Sequence, residues 1–164
     1  MPPGDVLPPD RQPVIIAARR TAVRRANGAL KELRAHQLLA PVLADLLADS
    51  RVPAEEVKDV VIGNAVGGGG NVARLALLEA GLPVGVPGLT VDRQCGSGLD
   101  AIALAARLVA AGGNPVYLAG GWRASARLRC GPTVTTTASL TFLPGPSLRR
   151  TASVTRIWES RPRM

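Results

Sequence analysis

The sequence predicts an α/β protein, an open layer of strands with helices packed on it, and three observations carry that prediction. Short strand-like runs at residues 14–18, 60–63, 89–92 and 115–119 alternate with longer segments whose apolar residues recur at helical spacing. Residues 91–111, VDRQCGSGLDAIALAARLVAA, read as the end of a strand entering a helix, with a cysteine at the junction. A chain of 164 residues, 46% of them hydrophobic, is long enough for one core of ordinary size.

Residues 1–13 are proline-rich with nothing to bury, and a disordered leader is expected there. Residues 14–18 form an apolar run of the kind found in strands buried on both faces. The basic turn at 19–28 brings Arg19, Arg20, Arg24 and Arg25 together. Contact with phosphates is one reading of it, and solvated loop charge the plainer one.

An amphipathic helix is expected over 33–48, with Leu38, Leu39, Val42, Leu43, Leu46 and Leu47 as its stripe and Pro41 kinking it or shifting its start. His36, the only histidine, stands in a polar stretch near the helix start, which points to a solvated surface residue rather than a general base. Residues 53–57 read as a turn or helical start before the strand at 60–63. Gly67, Gly68, Gly69 and Gly70 then feed Asn71 and a helix over 73–80, which Gly81 ends as its C′ residue. The glycine run suggests a phosphate cradle but lacks the lysine and hydroxyl of a P-loop. After a loop at 83–88, the strand at 89–92 delivers Cys95, and Gly112, Gly113 and Asn114 turn the chain into the strand at 115–119.

Cys95 is the candidate catalytic residue. The glycines of Cys95-Gly96-Ser97-Gly98 leave the backbone clear for an approaching substrate, and Leu99, Ile102, Ala103, Ala106, Val109 and Ala110 continue at near-helical spacing. The thiol is thus expected at a helix N-terminus, where unpaired N–H groups and the macrodipole favour a thiolate, the form a nucleophilic sulfur needs. A cysteine among small residues is also what an inert packing residue looks like, and no base is visible nearby in the sequence.

The net charge of +8 invites a nucleic-acid reading, so its position matters. Residues 1–121 carry a net +1, while residues 122–164 carry eight arginines, one acid (Glu159) and no lysine, a net +7. That change of composition marks a boundary. The two cysteines form no disulfide framework and no metal-ligand spacing, which suits a reducing compartment. No apolar stretch resembles a signal peptide or a bilayer span, and a cytoplasmic protein is expected.

Cys95-Gly96-Ser97-Gly98-Leu99, with Ala101-Ile102-Ala103 after it and Leu118-Ala119-Gly120-Gly121 closing the next strand, resembles the nucleophile region of the thiolases. Ile15-Ile16-Ala17-Ala18-Arg19-Arg20-Thr21 resembles their opening strand and Arg-Thr turn. Glu56-Val57 and Ile62-Gly63-Asn64 resemble their second strand, and Asn71-Val72-Ala73-Arg74 their glycine-loop-to-helix motif, although Gly70 and Val72 stand where the family commonly has Gln and Pro. The resemblance covers 14–121 in the family's order and spacing. It implies a layered α/β/α fold of which this is an incomplete N-terminal domain, with Cys95 as the acyl-accepting nucleophile and its backbone N–H as one oxyanion donor. It further implies acyl-CoA and coenzyme A as substrates, no permanently bound cofactor, no metal, and a homo-oligomer. Ketoacyl synthases also place a cysteine at a helix start, but the motif ending in Arg74 and the Gly-Ser-Gly-Leu after Cys95 favour thiolase. Asp100, one turn beyond the cysteine, is expected to be solvated or at an interface.

Where thiolases continue with Val-Glu-Ser, this chain has Trp122-Arg123-Ala124. The string GTG GAG AGC encodes Val-Glu-Ser, and entered one base later it reads TGG AGA GC, Trp-Arg-Ala. Thr155-Arg156-Ile157-Trp158-Glu159 can be written ACC CGG ATA TGG GAG, which entered two bases in reads Pro-Asp-Met-Gly, a segment expected of the family. Both need the same offset, so residues 122–164 are expected to be a non-homologous, disordered tail read out of frame. The family's histidine and second cysteine belong to its second half, so an inactive chain is expected. The alternatives are a catalytically dead fragment and, from another class, a nucleic-acid-binding protein using arginines and tryptophans of the tail. No period runs through that tail, which leaves nucleic acid the less favoured partner; a membrane is not expected.

Overall fold

A computed structural model of the chain describes residues 7–22, 28, 30, 32–65, 70–112, 116–122 and 138–144. Within them the order is β1 (Pro13–Arg20), α1 (Ala35–Ser50), β2 (Val57–Asn64), α2 (Val72–Glu79), β3 (Gly88–Val91), α3 (Ser97–Ala111), β4 (Val116–Trp122) and β5 (Ala138–Pro144). The strands form one sheet in the order β1-β5-β4-β2-β3. β2 pairs in parallel with β3 and β4, while β5 is antiparallel to both β1 and β4, so β5 alone of these strands runs against the rest.

The alternation of side chains along the strands builds two cores. Val60 and Ile62 of β2 with Leu118 and Trp122 of β4 face Leu39, Leu43 and Leu46 of α1 and Ala73, Ala76 and Leu77 of α2. Val61, Tyr117 and Ala119 point the other way, onto Ala101, Ala105 and Val109 of α3. The result is a layered α/β/α arrangement. Burying a leucine such as Leu39 or Leu43 completely contributes roughly 1.5–3 kcal/mol.

The helices end where local chemistry ends them. α1 begins after Arg34, whose N–H donates to Gln37 Oε1 at 2.9 Å, and closes at Arg51, whose φ of 56° lets its N–H reach the Leu47 carbonyl at 3.1 Å. Pro41 lies inside the helix without breaking it. It sits on the exposed side, where water can reach the Gln37 carbonyl that loses its i→i−4 donor. α2 stops as the sequence predicts. Gly81 has a φ of 82°, its N–H donates to the Leu78 carbonyl, and the Leu82 N–H donates to that of Leu77, a Schellman closure.

Three expectations differ from the fold. β1 is not buried on both faces: it lies at the end of the described sheet, paired with β5 alone, so Ala17 is buried while Ile15 is 50% exposed. Order also reaches into the stretches at 1–13 and 122–164. A 3-10 turn covers Pro9–Arg11, β4 continues through Trp122 without a break at Gly121, and β5 forms within the basic segment. β5 gains that order by taking backbone partners on both sides, from β1 and β4. Residues 1–6, 123–137 and 145–164 lie outside those described, as do Arg24, Arg25 and Gly67 to Gly69. Among the described residues no helix is long and apolar enough to cross a membrane.

Candidate active site

Cys95 is exposed and free, in a tight turn between β3 and the first residue of α3. Asp92 Oδ1 accepts from the Gln94 N–H at 2.9 Å, and the Gly96 and Ser97 N–H groups donate back to the carbonyls of Arg93 and Gln94, each at 3.0 Å. Gln94 takes a φ of 49°, in the left-handed region where a residue with a Cβ is disfavoured. The backbone therefore reverses one residue before the thiol. Ser97 closes the turn from the helix side: its hydroxyl accepts from the Arg93 N–H at 2.7 Å and donates to the Gln94 carbonyl at 2.6 Å. That side chain is polar and 1% exposed.

Three glycines seat α3 on the sheet just below this turn. A Cβ on Gly63 of β2 would lie 2.3 Å from the Ser97 carbonyl carbon, and one on Gly121 of β4 would lie 2.6 Å from the Gly98 Cα. Only backbones without side chains can approach so closely. Gly63 and Gly121 are register partners at the C-terminal ends of parallel strands, which is where open α/β sheets present their chemistry.

A second network fixes β3, the strand that delivers the turn. Asn71 caps α2 by accepting from the Arg74 N–H at 3.0 Å, and its amide donates to the Gly88 carbonyl. The Thr90 hydroxyl donates to Asn71 Oδ1 at 2.8 Å and accepts from the Ala73 N–H at 3.1 Å. The Arg74 guanidinium donates to the carbonyls of Val84 and Val86. The glycine-loop-to-helix motif is thus a set of struts between α2, β3 and the loop before it.

His36 is not a solvated surface group. It is half-buried with Nε2 3.7 Å from Glu79 Oε2, which ties α1 to α2 on the sheet face opposite α3. Arg93 Nε lies 3.3 Å from Asp100 Oδ2, so the aspartate holds the turn's arginine. In the basic turn, Arg19 pairs with Asp49 of α1 and Arg20 donates to the Thr21 carbonyl at 3.1 Å. Among the described residues no group of three or more His, Cys, Asp or Glu side chains is placed to hold a metal ion. Sequence reasoning gave Ser97 and Asp92 no role, and it quoted Gly63, Gly98 and Gly121 in motifs without their packing role.

The site is thus an exposed cysteine on a strained strand-to-helix turn at one end of an α/β/α layer, and comparison with known proteins gives that layer its family. The chain belongs to the thiolase family: the family described as "Thiolase, N-terminal domain" matches residues 13–139, past Gly121 and into β5. A Staphylococcus aureus protein assigned as the acetyl-CoA C-acetyltransferase VraB is 48% identical over 116 residues, covering 71% of this chain and 31% of that protein. Its Staphylococcus epidermidis counterpart is 46% identical over 117 residues with the same coverages. The crystal structure of the Bacillus anthracis acetyl-CoA acetyltransferase superposes with a TM-score of 0.66 at 33% identity, covering 76% of this chain and 35% of that one. The chain thus spans about a third of the length of the relatives it matches.

Proposed function

We propose that Cys95 is the acyl-accepting nucleophile of a thiolase-type acyltransferase acting on coenzyme A thioesters. The observation that carries this reading is the exposed thiol on the Arg93–Gly96 turn, within the segment that matches the family. Cys95 Sγ adds to the thioester carbonyl carbon, the bond from that carbon to the coenzyme A sulfur breaks, and coenzyme A leaves with the proton that Cys95 gave up. The acyl group, now on Cys95, passes in condensation to the α-carbon of a second acetyl-CoA, whose α-proton returns to the Cys95 sulfur. In thiolysis Sγ adds instead to the 3-keto carbon of a 3-ketoacyl-CoA, the C2–C3 bond breaks, and acetyl-CoA leaves with the Cys95 proton on C2. The acyl group then passes to the sulfur of coenzyme A, whose proton returns to Cys95. The Cys95 N–H serves as an oxyanion donor. No metal or resident cofactor takes part, the compartment is the reducing cytoplasm, and the protein works as a homo-oligomer.

The sequence's single histidine is engaged with Glu79, so this chain lacks an imidazole to move the proton. A well-placed general base contributes typically a hundredfold or more, so one acylation per chain with slow turnover is the expected behaviour. The test is to incubate the full chain with radiolabelled acetyl-CoA and map the label by peptide mass. One acetyl group on Cys95, lost in Cys95→Ser and kept in Cys130→Ser, supports the reading; label elsewhere, or none, overturns it. Residues 122–164 are, in the same proposal, encoded in a neighbouring frame of a thiolase gene, and resequencing from the Gly120 codon decides that point.

A further inference from the structure

We propose that Ser97 is a positioning residue for Cys95, a role that rests on the nucleophile reading above. The helix end of the turn is packed on the sheet, because the backbones of Ser97 and Gly98 are pressed against Gly63 and Gly121 with no room for a Cβ between them. The strand end is held through β3 by the Asn71 and Thr90 network. Between these fixed ends, Arg93 to Gly96 carries the thiol, and Gln94 sits in a left-handed conformation that it would not choose unaided.

The Ser97 hydroxyl joins the anchored helix to the backbone of this loop, beside the pairing of Asp100 with the Arg93 side chain. It takes the Arg93 N–H and gives its own hydrogen to the Gln94 carbonyl, so both of its hydrogen-bonding roles are spent on the two residues before Cys95. Asp92 assists from the other side through the Gln94 N–H. Replacing the hydroxyl by hydrogen frees the Arg93 N–H and removes one of the two bonds on the Gln94 carbonyl. Gln94 then relaxes towards negative φ, and the residue that follows it is Cys95. The thiol stays exposed but leaves the position from which it meets a bound thioester.

Position and exposure separate by experiment, in full chain carrying Cys130→Ser so that Cys95 is the only thiol. Acetylation by saturating acetyl-CoA in single turnover reads position, and alkylation by iodoacetamide reads exposure. For Ser97→Ala the acetylation rate constant is expected to fall at least tenfold with half-saturation unchanged, while alkylation changes less than twofold; Ser97→Thr restores acetylation. Asp92→Ala, at an exposed residue that threatens no core, is expected to give a smaller loss of the same kind. Equal acetylation in Ser97→Ala and its parent, or parallel loss of acetylation and alkylation, overturns the proposal. A parent that is not acetylated overturns the nucleophile reading instead. The positioning role is then decided by hydrogen exchange at the Arg93 and Gln94 amides, and unchanged protection in Ser97→Ala refutes it.

Discussion

Gly121→Ala adds one methyl group at the point where β4 meets the first turn of α3. The new Cβ would stand 2.6 Å from the Gly98 Cα and 3.3 Å from its nitrogen. Carbon atoms pack at about 3.5–4.0 Å, so helix and strand must part by about 1 Å, and no rotamer relieves a contact between two backbones. A gap of that size forfeits roughly a quarter to a half of the dispersion energy across it. It opens where Ala101, Ala105 and Val109 are fully buried against Val61 and Ala119. The cost falls at the upper end of that for overpacked cores, about 3 kcal/mol, or roughly 6–12 °C in melting temperature for a chain of this size. Gly85→Ala is the control: its Cβ meets nothing within 4 Å, and the gain or loss stays within about 1 kcal/mol. Urea unfolding followed by circular dichroism measures both, and acetylation of Cys95 should fall with the displacement of α3. A Gly121→Ala protein within about 0.5 kcal/mol of its parent, with unchanged acetylation, would refute the claim that close glycine contact seats the Cys95 turn.

Two further predictions test the sheet itself. Asp59 of β2 is half-buried with its Oδ1 accepting from the Val60 N–H at 2.7 Å; burial raises its pKa above the ordinary carboxylate value, partly offset by that hydrogen bond. Burial and the charge of Asp59 also raise the pKa of Tyr117, its register partner. A raised carboxyl pKa means the folded state holds the proton more tightly than the unfolded one. Stability is therefore lost as pH rises from about 4 through the folded-state value. Asp59→Asn is expected to be more stable than its parent at neutral pH, with the advantage vanishing below about pH 4; a constant difference between the two proteins across that window contradicts the assignment. Trp122 is 5% exposed and its Nε1 has no partner among the described residues, as is true of Asn64 Oδ1 beside it in register. Trp122→Phe should therefore lie within about 1 kcal/mol of the parent, because the lost ring area is offset by removing an unsatisfied donor, whereas Trp122→Ala should cost about 3–5 kcal/mol. A Phe variant about 2 kcal/mol or more less stable would mean that the indole N–H has a partner after all.

What could be read in the sequence was local. The apolar stripe of α1, the glycine that ends α2 and the strand entering Cys95 each follow from spacing or from one residue's backbone freedom, and they fall within a few residues of their observed places. What could not be read depends on contacts between distant parts of the chain. Gly63, Gly98 and Gly121 look like unrelated small residues until the fold presses them together. Ser97 reads as a small residue between two glycines that clear the backbone, yet it is among the most deeply buried polar residues described. His36 looked solvated because its partner, Glu79, lies in another helix. The run at 14–18 is apolar enough for a central strand, but its neighbours in the sheet decide that it is an end strand.

The same distinction explains why a strand of the described sheet, β5, lies beyond the break in composition after Gly121. Sheet pairing is made by backbone N–H and C=O groups, so the place between β1 and β4 selects weakly for sequence and strongly for a segment able to extend. Ser139-Leu140-Thr141-Phe142-Leu143 has the β-branched and aromatic content that suits a strand, and its backbone fills that place antiparallel to both neighbours. Among the described strands β1 joins the parallel ones only through β5. The basic segment therefore supplies the element that connects the opening strand to the sheet beneath Cys95.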